Sequence, residues 1–197
     1  IFIERLDGIG VISKEDALSY GYTGPNLRAS GVEFDLRRAT PYLQYDKVDF
    51  KIPTFSEGDS LARYFVRADE VRESAKIVRQ VLQLMTPGDI KANLPKSVLP
   101  QKAEVYSKME ELIHDFMIVN FGINPPVGEV YHAIEGSKGE LGFYIVSKGE
   151  GHPWKCKIRS PSFIHIQSLP HLVKGRMISD VVAIIGSIDP IMGEADK

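Results

Sequence analysis

The side chains best placed to do chemistry lie at the end of the chain, in Ser187-Ile188-Asp189-Pro190-Ile191-Met192-Gly193-Glu194-Ala195-Asp196-Lys197. Asp189 follows the apolar run Val181-Val182-Ala183-Ile184-Ile185 and is therefore expected to be partly buried. Burial penalises a charged carboxylate unless a cation or a backbone amide stabilises it. Two roles fit such a residue: an acid lining a cavity, or a structural cap just after a helix. Metal chemistry has little to work with. Cys156 is the single cysteine, and an iron–sulfur cluster normally takes four. Its context, Lys155-Cys156-Lys157-Ile158-Arg159, alternates like a strand, so a buried thiol is expected, with the flanking cations on the opposite face. His114, His132, His152, His165 and His171 form no His-x-x-x-His or His-Glu-x-x-His pair, which argues against zinc or iron. His132, close to Glu135, reads as a structural histidine.

The glycine-rich stretch Gly24–Gly31 lacks both the Gly-Lys-Ser/Thr ending of a Walker loop and the Gly-x-Gly-x-x-Gly spacing of a dinucleotide loop. A tight turn is expected there, with Arg28 held by backbone carbonyls or a carboxylate. Arg37, Arg38, Lys155, Lys157 and Arg159 fit a solvated face or a contact with neighbouring proteins. They lack the aromatic interleaving of a single-strand binder, and a net charge of −2 gives no reason to expect nucleic acid.

These groups need a scaffold. A composition of 43% hydrophobic and 25% charged residues over 197 positions suits one ordinary globular domain. No apolar run approaches the ~20 residues a membrane span requires. Ser13 is a credible cap for a short helix that stops at Gly21. Residues 32–55 read as irregular to extended, with Pro41 and Pro53 as breakers. The strongest helix is predicted over 57–85, where Leu61, Phe65, Ala68, Val71, Ala75, Val78, Leu82 and Met85 make one stripe; Arg63, Arg67, Glu70, Glu73 and Lys76 lie off it. A connector with Pro95 and Pro100 leads to a second amphipathic helix near 103–121, and the two are expected to form a long antiparallel pair. Residues 129–135 and 140–147, around Gly136-Ser137-Lys138-Gly139, predict a β-hairpin, with a third strand over 154–159. Helical segments near 164–173 and 179–187 close the chain, the second apolar on every side and expected to be buried. The class is α+β: a helical pair over 57–121, a small antiparallel β region over 129–159, and C-terminal helices with a tail over 160–197.

The tail also resembles a known site. Nickel–iron hydrogenases end their large subunit in Asp-Pro-Cys-x-x-Cys, whose thiolates hold the metal. Here the Asp-Pro frame stands at Asp189-Pro190, while Ile191 and Glu194 occupy the cysteine positions. An aliphatic side chain cannot ligate a soft metal. A hydrogenase-like end without its metal is similar to the quinone-site subunit of respiratory complex I, the D-type subunit of NADH–quinone oxidoreductase. Gly24-Pro25-Asn26-Leu27-Arg28-Ala29-Ser30-Gly31 with Asp35-Leu36-Arg37-Arg38 resembles that family's signature. So do Glu57-Gly58-Asp59-Ser60-Leu61-Ala62-Arg63-Tyr64, Glu129–Glu135 with Gly139-Glu140-Leu141-Gly142, Pro161-Ser162-Phe163 and Gln167-Ser168-Leu169-Pro170, in family order across the whole chain.

The resemblance implies the C-terminal half of a hydrogenase-large-subunit-like fold, since family members are longer than these 197 residues. It implies a wall of the quinone chamber lined by Asp189, Ile191, Met192 and Glu194, with Gly24, Pro25, Arg28 and Gly31 shaping the core nearby. The family's headgroup-binding histidine and tyrosine lie in the other half, so no catalytic residue is assigned here. Quinone would be a substrate at a subunit interface. Flavin and iron–sulfur clusters would belong to other subunits, the terminal cluster and the membrane arm among the partners. The place would be the peripheral arm of a membrane complex, on the cytoplasmic side of a bacterial inner membrane or the matrix or stroma side of an organelle. A hydrogenase-type relative, a ferredoxin-dependent photosynthetic relative and a non-catalytic scaffold are the alternatives. Alone, the chain is expected to bind no metal and no NADH and to be inactive. Ile1-Phe2-Ile3 and the outer side of the 57–85 helix are expected to leave apolar patches in isolation.

Overall fold

A computed structural model describes residues 1–88, 94 and 97–196. Pro95, one breaker of the predicted connector, and Lys197, the last residue of the tail, lie outside the described residues. The chain divides into two compact units. The first comprises Ile1–Met85, Ala133–Gly142 and Ile158–Lys197, and the second Thr86–His132 and Phe143–Lys157.

The first unit opens with a 3-10 turn, Ile3–Arg5, and helix α1, Lys14–Ser19. The Asp16 amide donates to Ser13 Oγ at 3.0 Å, as a capping serine should accept. Gly24–Gly31 is not the turn expected from its glycines. It contains helix α2, Gly24–Arg28, with Pro25 in the first turn, where its missing N–H costs nothing. Five residues are too few for a periodic signal, so the sequence showed only the punctuation. Helix α3, Leu36–Ala39, and a 3-10 turn, Tyr45–Lys47, interrupt an otherwise irregular stretch. Helix α4 runs Ser60–Leu84, with the Ala62 amide donating to Asp59 Oδ1 at 2.7 Å.

Helix α4 lies the opposite way round from its pattern. Arg63 is fully buried, beside Ala62 and Val66, while Val71, Val78, Leu82 and Met85 of the apolar stripe are exposed by 57–69%. The charged face points inward because each charge finds a partner there: Arg63 donates to Gly10 O at 2.5 Å and Gly58 O at 3.0 Å, and Glu70 accepts from Arg28 Nε at 2.9 Å. Ile1, Phe2 and Ile3 are likewise exposed.

The hairpin tip also belongs to the first unit, within strands β1, Gly128–Gly136, and β2, Gly139–Ser147. These and β3, Lys155–Arg159, form one antiparallel sheet in the order β1-β2-β3. At the tip the backbone meets α2 without side chains between. A Cβ on Gly24 would stand 2.4 Å from Gly139 Cα, and one on Gly139 would stand 2.6 Å from Thr23 Oγ1. The Glu140 amide donates to Thr23 Oγ1 at 3.0 Å, and Arg159 bridges Glu140 O and Gly21 O at 2.9 and 3.2 Å.

Helices α7, Pro161–Gln167, α8, Leu169–Val173, and α9, Ile178–Ile188, follow, before a last turn α10, Met192–Ala195. The core gathers Ile12, Ala17, Tyr22, Leu27, Leu172, Ile184 and Ile188. Helix α9 does not bury every side, as its composition suggested. Ile184 and Ile188 face into the core, while Ile178 and Val182 are 90% and 75% exposed.

In the second unit, helix α5, Lys102–Val105, and helix α6, Met109–Phe121, replace the single helix expected near 103–121. The two helices predicted as one antiparallel pair thus fall in separate units: α4 packs on α9 and α2, and α6 on α5. Leu112, Phe116 and Val119 of the α6 stripe are exposed. Cys156 does lie on a strand, but it is exposed rather than buried.

Candidate functional site

The site is built on the C-terminus of α9. The four last carbonyls of a helix have no partner within it, and their dipoles favour cations. Arg67, on α4, supplies both needs. Its Nη1 donates to Ser187 O at 2.8 Å and Arg63 O at 3.1 Å; its Nη2 donates to Ile188 O at 3.2 Å and Asn26 Oδ1 at 3.0 Å. Asn26 on α2, fully buried, donates from Nδ2 to Ile188 O at 3.1 Å. The same Nδ2 lies 2.9 Å from His165 Nδ1, and the Thr23 amide donates to His165 Nε2 at 3.4 Å. His165 is fully buried, and burial, reinforced by Arg67, Arg159 and Arg63, pulls its pKa down to about 3, so the imidazole is neutral. Burial likewise pulls Arg63 down to about 10.

Asp189 is the residue that ends α9. It takes the left-handed conformation, φ 57° and ψ 55°, which aspartate tolerates better than most residues. Pro190 then stops the helix from continuing. The turn swings the Asp189 carboxylate toward two cations. Lys138, at the hairpin tip, donates to Oδ2, and Arg67 Nε lies 3.7 Å from the same oxygen. Asp189 is therefore a cap and an ion-paired acid at once. It lines a cleft of about 330 Å³ with Phe2, Leu6, Tyr64, Arg67 and Ser187.

Of the other tail residues expected beside it, none shares this cleft. Ile191 and Met192 are exposed. Glu194 accepts from Ser162 Oγ, which in turn accepts the Ile191 amide at 3.2 Å, so the tail is clamped to the start of α7. Among the described residues no three His, Cys, Asp or Glu side chains converge as a metal site would require.

Of the expected signature residues, Arg28 centres a second cluster, with Asp35, Glu70 and Glu135. Arg28, 1% exposed, donates to Phe34 O at 2.9 Å and Glu135 Oε1 at 2.8 Å, is paired with Glu70, and lies 3.6 Å from Asp35. Both kinds of partner expected for it, a carbonyl and a carboxylate, are present. Burial works against its charge, but Glu70, Glu135 and Asp35 outweigh it and raise its pKa. Burial raises the Glu135 carboxyl despite Arg28. Arg37 closes Asp35 in a two-pronged pair and stacks on Phe50, while Arg38 donates to Phe50 O at 2.8 Å. Arg37, Arg38 and Arg159 are thus engaged one by one rather than pooled in a patch. His132 lies exposed on β1.

Lys138, Arg67, Asn26 and His165 were not singled out as members of the site by the sequence. Lys138 read as a turn residue and Arg67 as a charge off the apolar stripe; their partners are 51 and 120 positions away, beyond any local spacing rule.

The family described as respiratory-chain NADH dehydrogenase, 49 Kd subunit, matches residues 1–197. A D-type subunit of NADH-quinone oxidoreductase from Chloroherpeton thalassium is 61% identical over 197 residues, which is 100% of this chain and 45% of that protein. Its counterpart in Salinibacter ruber is 54% identical over 198 residues, covering 100% and 44%. The one from Methylacidiphilum infernorum is 54% identical over 197 residues, covering 100% and 47%. The chain spans about half the length of the curated relatives it matches. Matched along its entire length, the chain belongs to the family of the 49 Kd subunit of the respiratory-chain NADH dehydrogenase.

Proposed function

We propose that this chain is part of the D-type subunit of an NADH–quinone oxidoreductase and contributes a wall of the chamber where quinone is reduced. The observation that carries the reading is Asp189, lining an apolar-walled cleft and set between two cations, in a member of this family. The cleft fits the chemistry of a quinone: Phe2, Leu6 and Tyr64 offer apolar walls to a ring, and the Lys138 ammonium paired with Asp189 is the cation within reach of its oxygens. The exposed Ile191 and Met192 would face the chamber from outside this cleft, and Glu194 fixes the tail that carries them.

The carboxylate of Asp189 acts by charge, orienting the cations beside it and the groups contributed by the rest of the subunit. Quinone supplies the redox chemistry as substrate; electrons reach it from a terminal iron–sulfur cluster in a partner subunit, behind flavin and further clusters. The free energy released drives ion translocation in the membrane arm. No helix among the described residues is long and apolar enough to cross a membrane. The exposed stripe of α4 and the exposed face of α6 are surfaces for other parts of the complex to cover, in its peripheral arm on the cytoplasmic side of the membrane. The hydrogenase-type alternative would need thiolates where Ile191 and Glu194 stand.

Photolabelling tests the reading. A photoreactive quinone analogue, illuminated in the assembled enzyme, is expected to mark the peptide from Gly186 to Met192, with excess quinone protecting it. Labelling confined to other subunits would overturn the assignment.

A further inference from the structure

Four of the five N–H groups of Arg67 are spent on carbonyls and on Asn26, and they fasten the guanidinium to α9, α2 and its own helix. The fifth, on Nε, is buried without a hydrogen-bond partner among the described residues. It faces Asp189 Oδ2 across 3.7 Å. A buried donor left unmade is costly, and such gaps in a native site ask for an explanation. A charge-assisted N–H···O bond spans about 2.7–2.9 Å, so a shift of less than about 1 Å by the carboxylate would complete it.

The two cations around Asp189 differ in kind. Lys138 carries its ammonium on a flexible stem from the hairpin tip, with the side chain 18% exposed, whereas Arg67 is a planar fork held on four sides. We infer that Arg67 is a positioning residue for Asp189: its unused Nε–H is a second, fixed seat for the carboxylate, taken up when the Lys138 ammonium turns toward another acceptor. Asp189 then keeps one orientation at the cleft while Lys138 remains free to move. The acceptor that draws Lys138 away is an oxygen carrying negative charge at the cleft, such as a quinone oxygen gaining electrons.

This role rests on the proposed quinone chamber, and a double-mutant cycle in the assembled enzyme separates the two. Arg67→Gln is expected to lower the turnover of quinone reduction about tenfold with KM within about twofold, because it removes orientation rather than binding. Arg67→Lys, which keeps the charge, should recover part of the loss. In an Asp189→Asn background, Arg67→Gln should change turnover by less than about twofold, since its partner is already gone. Equal losses in both backgrounds would overturn the role of Arg67 while leaving the chamber intact. Unaltered turnover in Asp189→Asn alone would instead sink the chamber reading. If Arg67→Gln does not assemble, Arg67→Lys is run through the same cycle. A loss confined to the Asp189 background then supports the inference, and equal losses, or no loss in either background, refute it.

Discussion

Replacing Arg28 with methionine is expected to cost about 3–5 kcal/mol of folding stability, because the change strips the shared cation from buried carboxylates. The side chains of Asp35, Glu135 and Glu70 are 0%, 4% and 17% exposed, and all three approach this one guanidinium. Asp35 keeps Arg37, so Glu135 and Glu70 carry most of the penalty. The sign of the pH effect follows. Without Arg28 the buried Glu135 carboxyl, which burial already raises, binds a proton more readily folded than unfolded, so the penalty is greatest at neutral pH. It shrinks as pH falls toward about 4–5, the ordinary carboxylate range. Urea denaturation at both ends of that range checks it. Adding Glu135→Gln to Arg28→Met should recover part of the loss, since removing both partners leaves less charge unpaired. A loss below about 1 kcal/mol at neutral pH would show that the cluster is not what holds α2, α4 and the hairpin tip together.

Gly24→Ala is expected to be the second most damaging change. The left-handed conformation, φ +66°, costs an alanine about 1–2 kcal/mol. The new Cβ would also sit 2.4 Å from Gly139 Cα, and backbone cannot yield as a flexible side chain can. Forcing it apart adds about 1–3 kcal/mol. Gly8 is a matched control, with φ +65° and nothing within 4 Å of its would-be Cβ. Gly8→Ala should therefore show the backbone cost alone. Equal losses in the two variants would mean that α2 and the hairpin tip do not meet as closely as described.

What the sequence conveyed depended on how local the signal was. The Ser13 cap, the hairpin around Gly136–Gly139 and the third strand are set by neighbours in sequence, and they stand where the pattern placed them. Helix α4 was legible as a helix, yet its inward face was not. Periodicity separates apolar from polar residues but does not say which side meets water. Arg63, Arg67 and Glu70 turn inward because Gly10, Ser187, Asn26 and Arg28 wait for them, far away in the chain. The same blindness covers the site. Asp189 could be picked out from the tail, and the cap considered for it is present: it ends α9 in the left-handed conformation. Its cations could not be picked out, because a lysine in a turn and an arginine on a helix carry no mark of the carboxylate they will meet.

The most direct test of the account is the turnover of Asp189→Asn in the assembled enzyme. Asparagine keeps the shape of the side chain and removes the charge that Lys138 and Arg67 hold. Quinone reduction should fall about tenfold or more, equivalent to about 1.4 kcal/mol of lost transition-state stabilisation per factor of ten. Transfer from NADH to an artificial acceptor that bypasses the quinone site should stay near the wild-type rate, showing an intact complex. An assembled variant that reduces quinone at the wild-type rate from about pH 6 to about pH 9 would contradict the account and leave Asp189 as a helix cap alone.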